Sequence, residues 1–116
     1  MCDENIKLFN LFSAKTLNLL YESFPVPKSF NFYEFLDDTE PLSSINAFYT
    51  IKWLEKEHFL TYESISESGE VTKAILTHKG LELLKKDDIA LELKTALKIG
   101  KEEIIKKIID KLFSLI

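Results

Sequence analysis

Residues 59 to 76 are the stretch where this chain departs from helical patterning. Phe59 to Ile65 is rich in aromatic and β-branched residues, Val71 to Leu76 is a second such run, and Ser66 to Glu70 between them contains the turn signal Ser68-Gly69. Two strand-like runs with a glycine turn between them read as a β-hairpin. The rest of the chain reads as helix and turn, so whatever forms here is an α+β, mostly helical fold built around one hairpin.

The first helix is expected over about Asn5 to Phe24. Ile6, Phe9, Phe12, Leu17, Leu20 and Phe24 recur mostly three or four residues apart, and Asp3 and Asn5 are suitable N-caps. It stops at Phe24-Pro25-Val26-Pro27, where each proline removes a backbone donor and pushes the preceding residue towards an extended conformation. A short helix is expected over about Phe30 to Leu36, followed by a polar turn at Asp37 to Pro41. A third helix, capped by Ser43 or Ser44, runs to about Glu57. On a 100° wheel Ala47, Phe48, Ile51 and Leu54 fall within about 120° and should face the core. Asn46, Tyr49, Thr50, Trp53 and Glu57 take the other side. Beyond the hairpin, Thr77 caps a helix carrying Leu81, Leu83 and Leu84, and Asp87-Asp88 marks a break or a new cap. Residues 89 to 116 are helical in propensity, with Gly100 expected to kink or divide them.

Composition bounds the function. At 116 residues the chain fits one domain, and 46% hydrophobic content with three glycines and three prolines excludes a disordered or low-complexity tail. No apolar run approaches the roughly 18 residues of a membrane-spanning helix. Met1-Cys2-Asp3-Glu4 is not the basic-then-apolar start of a signal peptide. A single cysteine makes no internal disulfide, so a reducing, cytoplasmic setting is expected. The net charge is −4, and all fifteen bases are lysine. An acidic chain without arginine is a poor general phosphate binder.

The order helix, short helix, helix, hairpin, helix resembles a winged helix-turn-helix domain. Three segments carry the resemblance: Leu19-Leu20-Tyr21-Glu22-Ser23-Phe24-Pro25-Val26-Pro27, Trp53-Leu54-Glu55-Lys56-Glu57-His58-Phe59-Leu60, and Ala74-Ile75-Leu76-Thr77-His78-Lys79-Gly80-Leu81. Together they look like small uncharacterised bacterial winged-helix proteins with a helical C-terminal extension. The resemblance implies a winged-helix domain over residues 1–86 with a β-hairpin wing, and a helical extension over 87–116 that is either part of the same domain or a dimerisation element. Such domains often place glycine where this chain has His58; glycine suits a left-handed helix C-cap. The resemblance also implies a small cytoplasmic DNA-binding protein of transcription-regulator type. The alternative is a winged-helix module for protein–protein interaction, without DNA binding, whose acidic face docks a basic partner.

Catalytic and metal-binding patterns are not found in the sequence. His58, His78 and Cys2 are the only histidines and cysteine, too few for an ordinary metal site, and there is no nucleophile elbow or glycine-rich phosphate loop. The expectation is therefore no enzyme, no cofactor and no metal. In a winged helix the third helix enters the major groove and the wing approaches the backbone. The residues placed to do this are Ser43, Asn46, Tyr49, Thr50, Lys52 and Lys56, with Lys73 from the wing. Charge argues the other way. Ser29 to Lys79 holds four lysines against nine acids, and Glu63, Glu67 and Glu70 lie on or near the wing. Like charge there repels phosphate. Lys94 to Lys111 instead holds six lysines and three acids, interleaved with Ile104, Ile105, Ile108, Ile109, Leu112, Phe113 and Ile116. That apolar face either pairs with its twin in a homodimer or packs on its own core, where it would cover Trp53. Attachment to a membrane surface is the minor variant.

Overall fold

The computed structural model describes residues 4–37 and 40–115. Cys2, the Asp3 cap, Asp38 and Thr39 of the polar turn, and Ile116 lie outside the described residues.

Helix α1 spans Glu4–Ser23 and buries Phe12, Leu17 and Leu20, as its spacing predicts. Asn5 is inside the helix rather than its cap. The helix ends against a cis Phe24–Pro25 bond, with the last turn closed by Phe24 N donating to Leu20 O at 3.0 Å. The segment after it corrects the expected short helix. Residues Lys28–Asn31 form strand β1, and only Phe32–Phe35 turn, as a single 3-10 helix. Pro27 favours extended backbone on entering this segment, and Phe30 and Phe32, two apart, both point inward and are buried. Asn31 Oδ1 then accepts from Tyr33 N at 2.9 Å and starts the 3-10 turn.

Helix α2 spans Pro41–Lys56, two or three residues longer at its start than the serine caps suggest. Pro41 occupies the first helical position, where a missing N–H costs nothing. Ala47, Ile51 and Leu54 are fully buried and Phe48 is half-buried against the core. The helix closes with a Schellman turn. Phe59 N donates to Leu54 O at 2.9 Å and His58 N to Glu55 O at 3.0 Å. His58 takes the left-handed position of this turn, with φ +68°.

The hairpin forms where expected, as β2 (Leu60–Thr61), β3 (Ser64–Ile65) and β4 (Glu70–Leu76). Strand β4 is central. It pairs antiparallel with β1 on one side and with β2 and β3 on the other, in registers such as Phe30↔Val71, Leu60↔Leu76 and Ser64↔Thr72. Between Val71 and Ala74 strand β4 has one residue more than β1, a bulge that Lys73 absorbs with φ +52°. Lys73 N donates to Ser29 Oγ there, at 3.0 Å.

Helix α3, His78–Lys85, is capped by Thr77, whose Oγ1 accepts from Gly80 N at 3.1 Å and donates to His58 O. Gly80 lies so close to the Phe59 carbonyl that a Cβ would collide with it, so glycine is needed for α3 to dock on the start of the hairpin. Asp87 and Asp88, both at positive φ, break the chain before α4 (Ile89–Ile99). Gly100, at φ +77°, divides α4 from α5 (Glu102–Ser114). Helix α5 packs on α1 and α4 and buries Ile105, Ile108, Ile109 and Leu112. One continuous cluster of buried side chains therefore runs from Phe12 to Leu112, and the C-terminal segment completes the core begun by α1. Among the described residues, no helix is long and apolar enough to cross a membrane.

Candidate functional site

The polar residues expected to face a nucleic acid are largely used inside the fold. Ser43 and Thr50 are each only 4% exposed. They lie on the same side of α2 as Ala47 and Leu54, which makes the buried face wider than the apolar residues alone indicate. Thr50 Oγ1 donates to Asn46 Oδ1 at 2.9 Å, and Asn46 Nδ2 donates to the Asn5 carbonyl at 3.1 Å. Asn46 thus ties α2 to α1, and Thr50 holds its amide from within α2. Lys73 sits in the β4 bulge, with its ammonium 3.5 Å from Glu63, and Lys52 lies 5.2 Å from the Phe48 ring centroid. Of the seven candidates, Tyr49, Lys52 and Lys56 are left exposed without a described polar partner.

What α2 shows to solvent is apolar. Leu42 is 50% exposed, Ile45 54% and Tyr49 59%. Their spacing of three and then four residues makes one stripe. Ile6 of α1, also exposed, borders a shallow groove of about 370 Å³ with Leu42, Ile45 and Tyr49, and Phe9 and Trp53 form its inner wall. At 100° per residue, Leu42, Ile45, Tyr49, Lys52 and Lys56 all fall within about 80°. The face is thus apolar over its first half and basic over its last two turns. The sequence signal for it was present: Leu42 and Ile45 are apolar residues outside the Ala47–Ile51–Leu54 core wedge.

The wall behind this face is a cluster of aromatic rings. Trp53 meets Phe9 edge-on at 5.1 Å and Phe113 of α5 at 5.4 Å, and Phe59 lies 5.2 Å from Phe113. The C-terminal extension thus covers the rear of Trp53 and makes it a packing residue.

The expected twin-pairing face of the last helix is occupied within its own chain. Ile105, Ile108, Ile109 and Leu112 are buried, and Ile104 and Phe113 are half-buried against the same core. The lysines of α5 that remain outside make scattered ion pairs: Lys106 with Asp110 at 2.7 Å, Lys111 with Glu92 at 3.4 Å. The hydrogen bond to Asp110, and then its charge, raise the pKa of Lys106. On the wing, Glu63, Glu67 and Glu70 are all exposed. Tyr62, half-buried at the hairpin, has its phenol pKa raised by burial first and by the nearby Glu55 charge second.

A cavity of about 460 Å³ lies between α1 and the α4–α5 joint, lined by Lys7, Asn10, Leu11, Leu97, Ile105 and Lys106. Its charges are mixed, with Lys7 3.6 Å from Glu102, and they converge on no single point. Among the described residues, no group of histidine, cysteine, aspartate and glutamate is placed to hold a metal ion. No protein-family model, no curated protein and no solved structure matches the chain.

Proposed function

We propose that this chain is a winged-helix domain serving as a protein-interaction module, with α2 as its contact helix, and that it does not bind duplex DNA. The fold assignment is supported by the element order α1, β1, 3-10 turn, α2, hairpin, and by β1 closing the sheet against the long hairpin strand β4. The 3-10 turn Phe32–Phe35 takes the place of the short second helix. The hairpin β2–β4 takes the place of the wing.

One observation carries the functional reading: the solvent face of α2 begins with Leu42, Ile45 and Tyr49, each at least half exposed. Contiguous exposed apolar side chains mark interaction surfaces. A helix end that enters a DNA groove needs donors and positive charge, because phosphate neutralisation supplies most of the affinity. Here those groups are either buried, as Ser43 and Thr50 are, or confined to the last two turns, as Lys52 and Lys56 are. The wing adds Glu63, Glu67 and Glu70 where a phosphate backbone would pass.

A duplex titration tests the reading. At about 50 mM salt, the lower end of the range in which phosphate contacts dominate, the full chain should leave a labelled duplex unshifted. Retention that weakens steeply as salt rises, and that is lost when Lys52, Lys56 and Lys73 are changed to alanine, would establish DNA binding instead.

A further inference from the structure

We propose that the cavity between α1 and the α4–α5 joint binds a small organic cation: a primary amine on an apolar body that carries one further hydrogen-bonding group. No residue of α2 lines this cavity, so the site is separate from the α2 contact face and does not depend on that reading.

The cavity holds about 460 Å³, within the range of about 300–1,000 Å³ usual for small-molecule sites. Leu8 and Leu11 of α1, Leu97 of α4 and Ile105 of α5 give it apolar walls. One polar side chain lines it from inside the fold. Asn10 is only 7% exposed, and its amide makes no hydrogen bond among the described residues. Buried amides are nearly always paired, because an unpaired one gives up its hydration without return. An amide left open at a cavity wall fits a ligand that supplies the missing hydrogen bond. It offers a donor and an acceptor, so one hydroxyl or N–H on the ligand suffices. Charge at the rim selects the sign of the ligand. Each lysine of the lining is already engaged: Lys7 stands 3.6 Å from Glu102, Lys15 Nζ donates to Phe35 O at 2.7 Å, and Lys106 stands 2.7 Å from Asp110. Glu4, Asp37 and Glu103 also line the cavity, are exposed, and make no ion pair among the described residues. The unmatched charge is therefore negative. An anion would meet these three carboxylates and find every lysine taken. The carboxylates are spread around the rim, so they attract an amine without chelating a metal ion. An aromatic amine with one hydroxyl or ring N–H meets all three features: its ring lies against the leucines, its polar group reaches Asn10, and its ammonium stays at the rim.

Chemical-shift titration of the isotope-labelled full chain tests this, with tyramine and tryptamine as the ligands added. At least one should bind saturably at up to about 1 mM, the upper end of ordinary substrate affinities. The shifts should fall on the Asn10 side-chain amide and on the backbone amides of Leu97 and Ile105. Para-hydroxyphenylacetate, the anionic counterpart of tyramine, should leave them unmoved. Asn10→Leu should weaken amine binding roughly tenfold, the worth of one hydrogen bond. It should also raise the thermal midpoint of the ligand-free chain, because it removes an unpaired buried amide. Leu97→Trp, at a half-buried wall position, should fill the cavity and abolish binding with an unchanged circular dichroism spectrum. D37N/E103Q should weaken binding and flatten its dependence on salt. No saturable shift from either amine, or shifts that persist in Leu97→Trp, overturns the proposal. Equal binding of the anion overturns the assignment of a cation. A lower midpoint for Asn10→Leu together with undiminished amine binding makes Asn10 a structural residue and overturns its role in the site.

Discussion

Phe113 of α5 meets Trp53 of α2 edge to face, with ring centroids 5.4 Å apart. This contact joins the last helix of the chain to the back of the helix whose front is exposed. It means that the C-terminal segment is a wall of the domain. A sequence reading based on an isolated amphipathic helix treats that segment as available for a partner; in the fold it already has one, its own core.

That relationship sets the first prediction. A chain ending at Gly100 loses the buried side chains of Ile105, Ile108, Ile109 and Leu112. At about 1.5–3 kcal/mol for each large apolar side chain, the loss is comparable with the whole stability of a domain, about 5–15 kcal/mol. The truncated chain should show no cooperative thermal transition and no near-ultraviolet dichroism. A sharp transition at the full chain's melting temperature would mean that α5 is an appendage after all.

His58 sets the second. Its left-handed conformation at the end of α2 costs a non-glycine residue energy, and its exposed side chain makes no described contact in return. His58→Gly should raise stability by about 0.5–1 kcal/mol, after the extra freedom of glycine in the unfolded chain is allowed for. The urea midpoint should rise with an unchanged slope. A lower midpoint would show that the imidazole contributes a contact worth more than the strain.

Tyr62 sets the third. Its phenol is held above the ordinary value of 10.0 by burial and by Glu55, so the folded chain holds this proton more tightly than the unfolded chain does. The stability linked to that proton is fully present below pH 10, and it is lost as pH rises through the folded value. Urea midpoints measured upward from neutral pH should therefore fall more steeply above pH 10 for the wild type than for Tyr62→Phe. Parallel curves for the two proteins would contradict it.

The parts of the fold most legible in the sequence were those set by local chemistry. The Ser68-Gly69 turn, the stop at Pro25 and the division at Gly100 each depend on a residue with a restricted or a permissive backbone, the Thr77 cap depends on a side-chain hydroxyl, and each forms where expected. Strand β1 was less legible. Lys28 to Asn31 is four residues long with one buried side chain, and its identity as a strand depends on β4, about forty residues away. The start of α2 was carried by Pro41, a signal outweighed by the two serines that follow it. The solvent face of α2 was less legible for a related reason. Ser43 and Thr50 are polar, so polarity suggested solvent, but they lie on the helix side covered by the rest of the fold. Leu42 and Ile45 are apolar, so their residue types suggest the core, not the surface. Their exposure becomes visible only once α1 and α5 have been placed behind α2.

The contact role of α2 is tested most directly by a photo-cross-linking residue placed at position 49 of the full chain in cells, with a second at the exposed Glu82 of α3 as the control. The account predicts a discrete cross-linked protein species from position 49, absent from position 82, that disappears when Ile45→Glu is added. Equal cross-linking from both positions, or a position-49 product that consists of nucleic acid, would contradict it.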